Sequence, residues 1–319
     1  MMMHIIPEHD EPVLRGESES DHEEDDHESV LLDIARDEQL DRHATAYEQE
    51  LCDTYQCSDY FAQFLSNSHP QDKNSNVALQ QPDPSWRVNI CEWLEQAMEI
   101  KGEVLYIAMN TLDRFMSITS KSNTTISWNG FQLAALAAAS IALKMTDSGK
   151  EHIPFLVENT NDINITANQI SLKEQEVLVK LDWKIAPPTP HYFCKEYFQF
   201  LPRAVSFFPG RKQDIIDRTI FLLHLSMKDF AFFASMKANS IALAAVLNAT
   251  RISFAREARI FGGQICDDLI EEIRTYLGEF FNVEEVASCQ RRLYSLYDPE
   301  HDGNLEDIPL PVEIAVIPE

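Results

Sequence analysis

The stretch Ile126–Met145, ISWNGFQLAALAAASIALKM, decides the fold of this chain. Between Leu133 and Leu143 the one polar residue is Ser140, so every face of a helix built from this segment is apolar. Such a helix is either a membrane span or the centre of a helical bundle. The apolar run is far shorter than the roughly 20 residues that cross a bilayer. The stretch therefore predicts a central helix enclosed by others, with Ser127 as its N-cap.

The chain is strongly acidic, and the acidity is uneven. Its formal net charge is −26, and residues 1–60 carry 19 acidic against 3 basic side chains. Nucleic acids and anionic membranes are bound by basic surfaces, so we expect neither as a partner. The six cysteines are scattered, which favours free thiols in a reducing compartment over a disulfide framework.

Amphipathic patterns around the central stretch predict a first bundle of five helices. Asp83 and Pro84 form a helix start, and Thr166 with Gln169 forms a capping box. The predicted helices span 84–100, a second segment ending near 117, the central stretch, 152–158 and 166–183.

A second bundle follows a proline-rich joint at Ala186–Pro190, through which no helix can pass. A second apolar, alanine-rich helix at Ser240–Thr250 lies roughly 110 residues after the first, which indicates internal duplication. Its predicted neighbours span 191–201, 214–230, 263–277 and 283–297.

These patterns predict an all-α chain of two tandem five-helix bundles, each around a central apolar helix, with a helical segment before them. The predicted boundaries are 1–29 for a disordered acidic tail and 30–83 for the N-terminal helical segment and loop. The first bundle then spans 84–185, the second spans 186–297, and a second acidic tail spans 298–319.

Four charged residues do not fit a purely structural pattern. Arg87 lies in the first turn of its helix, where its charge opposes the helix dipole, and Asp113 follows the apolar Met109 by four. Either these charges are solvated at helix edges or they pair with each other, and we adopt the pair. Lys144 ends the apolar helix and Glu174 interrupts an apolar stripe. Together they suggest an apolar partner-binding face that carries two opposite charges.

Catalytic motifs are absent from the sequence. It contains no glycine-rich phosphate loop, no nucleophile elbow and no metal-spaced Cys/His set. We therefore expect no enzymatic activity, no cofactor and no metal.

Several motifs, in this order and spacing, resemble the cyclin family. The first group lies in the first predicted bundle: RVNICEW at 87–93, LDRFMS at 112–117, FQL at 131–133 and IALKM at 141–145. LDWKIA at 181–186, TPHYF at 189–193 and KDF at 228–230 are similar to the D-type, or G1, branch in particular. The resemblance covers about residues 30–295 and is stronger in the first bundle.

The resemblance implies two cyclin boxes and a role as a non-catalytic subunit that binds and activates a cyclin-dependent kinase. The family's polar kinase contacts match Lys144 and Glu174, and its structural ion pair matches Arg87 and Asp113. Apolar kinase-facing positions match a further set: Ile141, Met145, Leu178 and Trp183.

The resemblance also implies a patch that docks substrate or inhibitor peptides. The matching residues are Trp86, Ile90, Trp93, Phe131 and Gln132. Asn89 and Gln96 differ from the family's residues there, so we expect weakened docking. The expected role is in G1/S control, in the nucleus and cytoplasm. The alternative is a cyclin-fold adaptor outside the cell cycle, associated with transcription or nutrient signalling.

Overall fold

The computed structural model describes residues 37–67, 82–122, 125–146, 152–160, 165–254, 259–278 and 281–297. The chain divides into two units, Met1–Arg42 and His43–Glu319. In the first unit, residues 37–42 are helical. The predicted tails at 1–29 and 298–319 lie outside the described residues. The second unit is all-α in every part of it that the structure describes, as the sequence predicts.

The second unit begins with helical residues 43–51 (α1), a 3₁₀ turn at Asp53–Tyr55 and α2, Tyr60–Asn67. The first bundle follows. Its helices are α3 (Pro84–Gln96), α4 (Gly102–Ser120), α5 (Trp128–Thr146), α6 (His152–Glu158) and α7 (Ala167–Lys180).

The predicted central helix is α5. It contacts α3, α4, α6 and α7, and every side chain from Ala134 to Ala142 is buried. Alanine side chains allow this, because they let neighbouring helices approach closely on all sides. Ser127 accepts a hydrogen bond from the Gly130 amide at 3.2 Å, which supports the start of the helix.

The predicted caps of two neighbouring helices are confirmed. The Asp83 carboxylate accepts a hydrogen bond from the Ser85 amide at 2.7 Å, and Pro84 is the first residue of α3. Thr166 and Gln169 form the reciprocal capping box of α7. These local signals fix where both helices begin.

The second bundle is built around α11, Ala238–Ser253, in which every residue except Arg251 is buried. Helix α11 contacts α8 (Pro190–Tyr197), α9 (Arg211–Lys228), α12 (Arg259–Leu277) and α13 (Val283–Leu296). Residues 181–189, which include the proline-rich joint, contain no helix.

The structure corrects one predicted helix. The segment 214–230 does not form one helix, because Asp229 is extended and caps a separate short helix, α10, at Phe230–Ser235. The Asp229 carboxylate accepts from the Phe232 amide at 3.2 Å. The side-chain cap competes with continuation of α9, as Asp does at many helix boundaries.

Candidate partner-binding site

The site begins with a salt bridge between the end of α5 and the middle of α7. The Lys144 ammonium donates to both oxygens of the Glu174 carboxylate, at 2.7 and 2.8 Å. Helices α5 and α7 pack along each other, which brings the two charges together although 30 residues separate them. The Lys144 side chain is 47% exposed, whereas that of Glu174 is 8% exposed. The charge presented to solvent is therefore the ammonium.

The apolar residues predicted at this face differ in exposure. Trp183 is 67% exposed, and Met145 and Leu178 are partly buried against the core of the first bundle. Ile141 is 3% exposed and belongs to that core. The resemblance implies that Glu174 and Ile141 both contact a kinase, but the structure leaves little of either side chain accessible. Both side chains lie on the core-facing sides of tightly packed helices.

A surface depression lies beside the salt bridge. Its volume is about 450 Å³, and it is formed where α5 ends, α6 begins and α7 begins. Its lining combines Lys144 with the apolar residues Ile153 and Pro154 of α6, so it offers one cation beside apolar side chains. The lining residues are Lys144, His152, Ile153, Pro154, Ala167, Asn168 and Ser171.

The predicted peptide-docking patch is largely part of the core. Trp86, Ile90 and Phe131 are 5%, 1% and 0% exposed, and Trp93 and Gln132 are partly exposed. The Trp86 ring meets the Phe131 ring edge-on, with centroids 5.8 Å apart. In this structure these three residues stabilise the bundle and do not form an open apolar patch.

The Arg87–Asp113 pair is completely buried. The guanidinium donates from Nε and Nη2 to the carboxylate at 2.8–3.0 Å, and Tyr60 donates to the same carboxylate at 2.8 Å. Burial penalises the charged guanidinium, but the Asp113 carboxylate more than compensates and raises the pKa of Arg87. Arg87 also donates to the Met227 carbonyl at 2.5 Å, which links the two bundles.

Two features of this region are invisible to pattern analysis of the sequence. One is the contact of Arg87 with the second bundle, where the Cζ atom of its guanidinium lies 4.8 Å from the centre of the Phe233 ring. The other is the turn after α7, where Asp182 and Trp183 both have positive φ angles. Neither has a local signal, because one is a long-range contact and the other involves no glycine.

Metal sites and membrane-spanning helices were also sought in the described part of the chain. There, no group of three His, Cys, Asp or Glu side chains is arranged to hold a metal ion. Within the same residues, no helix combines the length and the apolar character that a membrane span requires.

Comparison with known proteins identifies the first bundle. Residues 59–186 match the family model described as the cyclin N-terminal domain. Over 121 residues the chain is 35% identical to G1/S-specific cyclin-D1 of Xenopus laevis, and this match covers 37% of each protein. Against human G1/S-specific cyclin-D1 the identity is 32% over 123 residues, or 38% of this chain and 37% of the relative. The chain thus spans little more than a third of these relatives.

Two further matches cover more of the chain. The chain is 24% identical over 264 residues to G2/mitotic-specific cyclin S13-7 of Glycine max, covering 79% of this chain and 91% of that protein. It also aligns with the X-ray structure of a viral cyclin from herpesvirus saimiri, with a TM-score of 0.45 and 12% identity. That alignment covers 63% of this chain and 88% of the viral one.

Proposed function

We propose that this chain, in which residues 59–186 match the cyclin N-terminal domain, is a member of the cyclin family that binds and activates a cyclin-dependent serine/threonine kinase. In this proposal the protein is a regulatory subunit without catalytic activity of its own. The observation that carries it is the Lys144–Glu174 salt bridge, a half-exposed cation anchored beside an apolar depression on that domain.

The geometry suits recognition of another protein. Affinity would come from partly exposed apolar side chains, with Trp183 as the largest, because buried aromatic residues dominate many protein interfaces. The Lys144 ammonium would set the register by meeting a carboxylate of the kinase. Glu174 would act mainly by holding that ammonium in place, since its own carboxylate is almost inaccessible.

Activation needs no chemistry from this chain. A kinase exchanges between inactive and active conformations, and a ligand that binds the active one more tightly shifts the population towards it. A pre-formed helical face is suited to this task, because binding then orders little of the subunit itself. The core around α5 is alanine-rich and buried, which makes the face rigid.

We further propose that the protein acts at the G1/S transition. We also propose that it is located in the nucleus and cytoplasm. The relatives named G1/S-specific cyclin-D1 support the G1/S part of this proposal, because identity to them reaches 35% in the first bundle. Peptide docking at the Trp86 patch would be weak, since Trp86, Ile90 and Phe131 are buried and leave only the edges formed by Trp93 and Gln132.

The direct test is to add the purified full-length protein to a panel of purified cyclin-dependent kinases and to measure phosphorylation of a common substrate. We expect strong activation of at least one kinase, with activity that saturates as the subunit concentration rises. The protein alone should show none. Binding without activation of any kinase would instead support an adaptor role.

A further inference from the structure

The turn that follows α7 is conformationally strained. Asp182 and Trp183 have φ angles of +52° and +59°, in the left-handed region that non-glycine residues seldom adopt. This conformation is unfavourable for a residue that carries a Cβ, so the surrounding structure must impose it. Two in succession require contacts that hold the backbone from outside the turn.

The strained turn determines where Trp183 lies. The Trp183 amide donates to the Leu178 carbonyl at 2.9 Å, and the Lys184 amide donates to the Leu181 carbonyl at 3.0 Å. These bonds fold the chain back on the end of α7. Trp183 is 67% exposed in this turn, whereas Trp86 is 5% exposed. A large aromatic side chain is thus held in solvent by backbone geometry.

One side chain from α4 holds this turn from outside. Arg114 is 2% exposed, and its Nη2 donates to the Lys184 carbonyl at 2.7 Å. Its guanidinium lies 4.7 Å from the centre of the Tyr55 ring, which belongs to the segment before the first bundle. The same segment reaches the joint a second time, because Gln49 donates to the Ala186 carbonyl at 2.8 Å.

We propose that Arg114 is a positioning residue: clamped between the Tyr55 ring and the Lys184 carbonyl, it imposes the left-handed turn that presents Trp183 to the kinase. This inference rests on the proposed function for the identity of the partner. The contacts themselves explain why an arginine is required. A planar guanidinium can stack on an aromatic ring and donate within its plane at the same time, and an ammonium cannot.

Burial makes this arrangement costly. Desolvation lowers the pKa of Arg114, which means that the charged guanidinium is less stable there than in water. The strained residues Asp182 and Trp183 and the carbonyl that Arg114 binds lie in one stretch of three residues, 182–184, so the buried charge acts directly on the strained turn.

The chain offers a matched control in the second bundle. Arg211 stands 4.9 Å from the centre of the Phe254 ring and donates to the Ser253 carbonyl, so its contacts reproduce those of Arg114 in kind. Replacement of either arginine by lysine removes a contact with a ring and a hydrogen bond to a backbone carbonyl, and Arg211 in addition lies 3.8 Å from the Asp214 carboxylate. Only the change at Arg114 should affect Trp183.

The experiment labels the full-length protein with 5-fluorotryptophan and compares the parent, Arg114→Lys and Arg211→Lys by fluorine NMR. The Trp183 resonance is assigned by its absence in Trp183→Phe. We expect Arg114→Lys to shift or broaden that resonance alone, and to weaken capture of the activated kinase roughly tenfold, a typical loss when an interface anchor is misplaced. Arg211→Lys should change neither.

A second substitution distinguishes positioning from general stabilisation. Glycine adopts positive φ without strain, so Asp182→Gly should restore the Trp183 resonance and kinase capture in the Arg114→Lys background. An unchanged Trp183 resonance in Arg114→Lys would overturn the inference. So would a changed resonance with unchanged kinase affinity. If the parent captures no kinase, the proposed function fails, and the fluorine spectra alone then show whether Arg114 orients Trp183.

Discussion

Lys144 and Glu174 form a salt bridge in which the two partners differ sharply in exposure. The ammonium lies 2.7 and 2.8 Å from the carboxylate oxygens, yet nearly half of the Lys144 side chain faces solvent while Glu174 is buried beneath it. The two residues of the pair therefore have different roles, one in packing and one in recognition. Glu174 belongs to the packing of α5 on α7, and Lys144 belongs to the surface.

This asymmetry predicts unequal effects on stability. Lys144→Met leaves a buried carboxylate without its cation and should lower the free energy of unfolding by about 1–3 kcal/mol. Glu174→Gln leaves an ammonium that water can solvate, and should cost less than about 1 kcal/mol. Urea denaturation of the two variants measures the difference. Equal losses would show that the Glu174 carboxylate is solvated in solution.

Removal of Arg87 should be far more damaging. Arg87→Met leaves the Asp113 carboxylate, which is 0% exposed, without its cation. It also removes the donor to the Met227 carbonyl. We expect a loss of about 3–5 kcal/mol in the free energy of unfolding, the usual cost of an uncompensated buried charge. The surface pair of Lys173 and Glu176 provides the control, because Lys173→Met there should cost at most about 1 kcal/mol. A similar small loss for both would contradict the account of the Arg87 network.

A larger side chain in the central helix should destabilise the fold. Ala138 is 1% exposed on α5, so Ala138→Leu must displace neighbouring helices and should cost about 1–3 kcal/mol, or more. Ala62→Leu on the exposed face of α2 is the matched change and should be nearly neutral. Thermal unfolding of the two variants compares them directly. A tolerated leucine at 138 would mean that α5 is not tightly enclosed.

Stability should also depend on pH through Glu50. Its carboxylate accepts hydrogen bonds from the Ala238 and Asn239 amides at the start of α11, and burial raises its pKa to about 7. The folded state therefore binds the Glu50 proton more tightly than the unfolded state, whose pKa lies near 4.5. This contribution to stability is complete below pH 4.5 and is lost as pH rises through 7.

Glu50→Gln removes that titration while keeping an acceptor for the helix start. The difference in unfolding free energy between the variant and the parent should grow in favour of the variant between about pH 5 and 8. Urea titrations at intervals across this range measure it. Parallel pH profiles for the two proteins would show that the Glu50 carboxylate does not titrate with a raised pKa.

The helices were predictable from sequence where a local signal marks them. The Asp83 and Thr166 caps and the all-apolar stretch around Ala138 each specify an element without reference to distant residues. Sequence patterns do not predict helix α10, because FAFFAS at 230–235 is too short to show a helical period. Only the Asp229 cap separates this helix from α9. The bundle architecture follows from strong local patterns.

The candidate site was only partly predictable. The proximity of Lys144 and Glu174 could be inferred because both charges interrupt apolar sequence patterns. A charged residue in an apolar pattern does not, however, reveal which of the two side chains is exposed to solvent. Trp86 and Phe131 illustrate the same limit, since an aromatic residue in the core and one on a docking patch look alike in sequence. The Trp183 turn has no signal, because tertiary contacts impose its backbone angles.

The most direct test of the central claim exchanges the two charges. The double variant Lys144→Glu/Glu174→Lys keeps an internal salt bridge but presents a carboxylate where the parent presents an ammonium. Capture of the cyclin-dependent kinase proposed as the partner, measured at equal concentrations of the two folded proteins, is the readout. We predict that the double variant folds and that its kinase affinity falls roughly a hundredfold or more, because like charges would meet at the interface. Undiminished kinase binding by the folded double variant would contradict the assignment of this face.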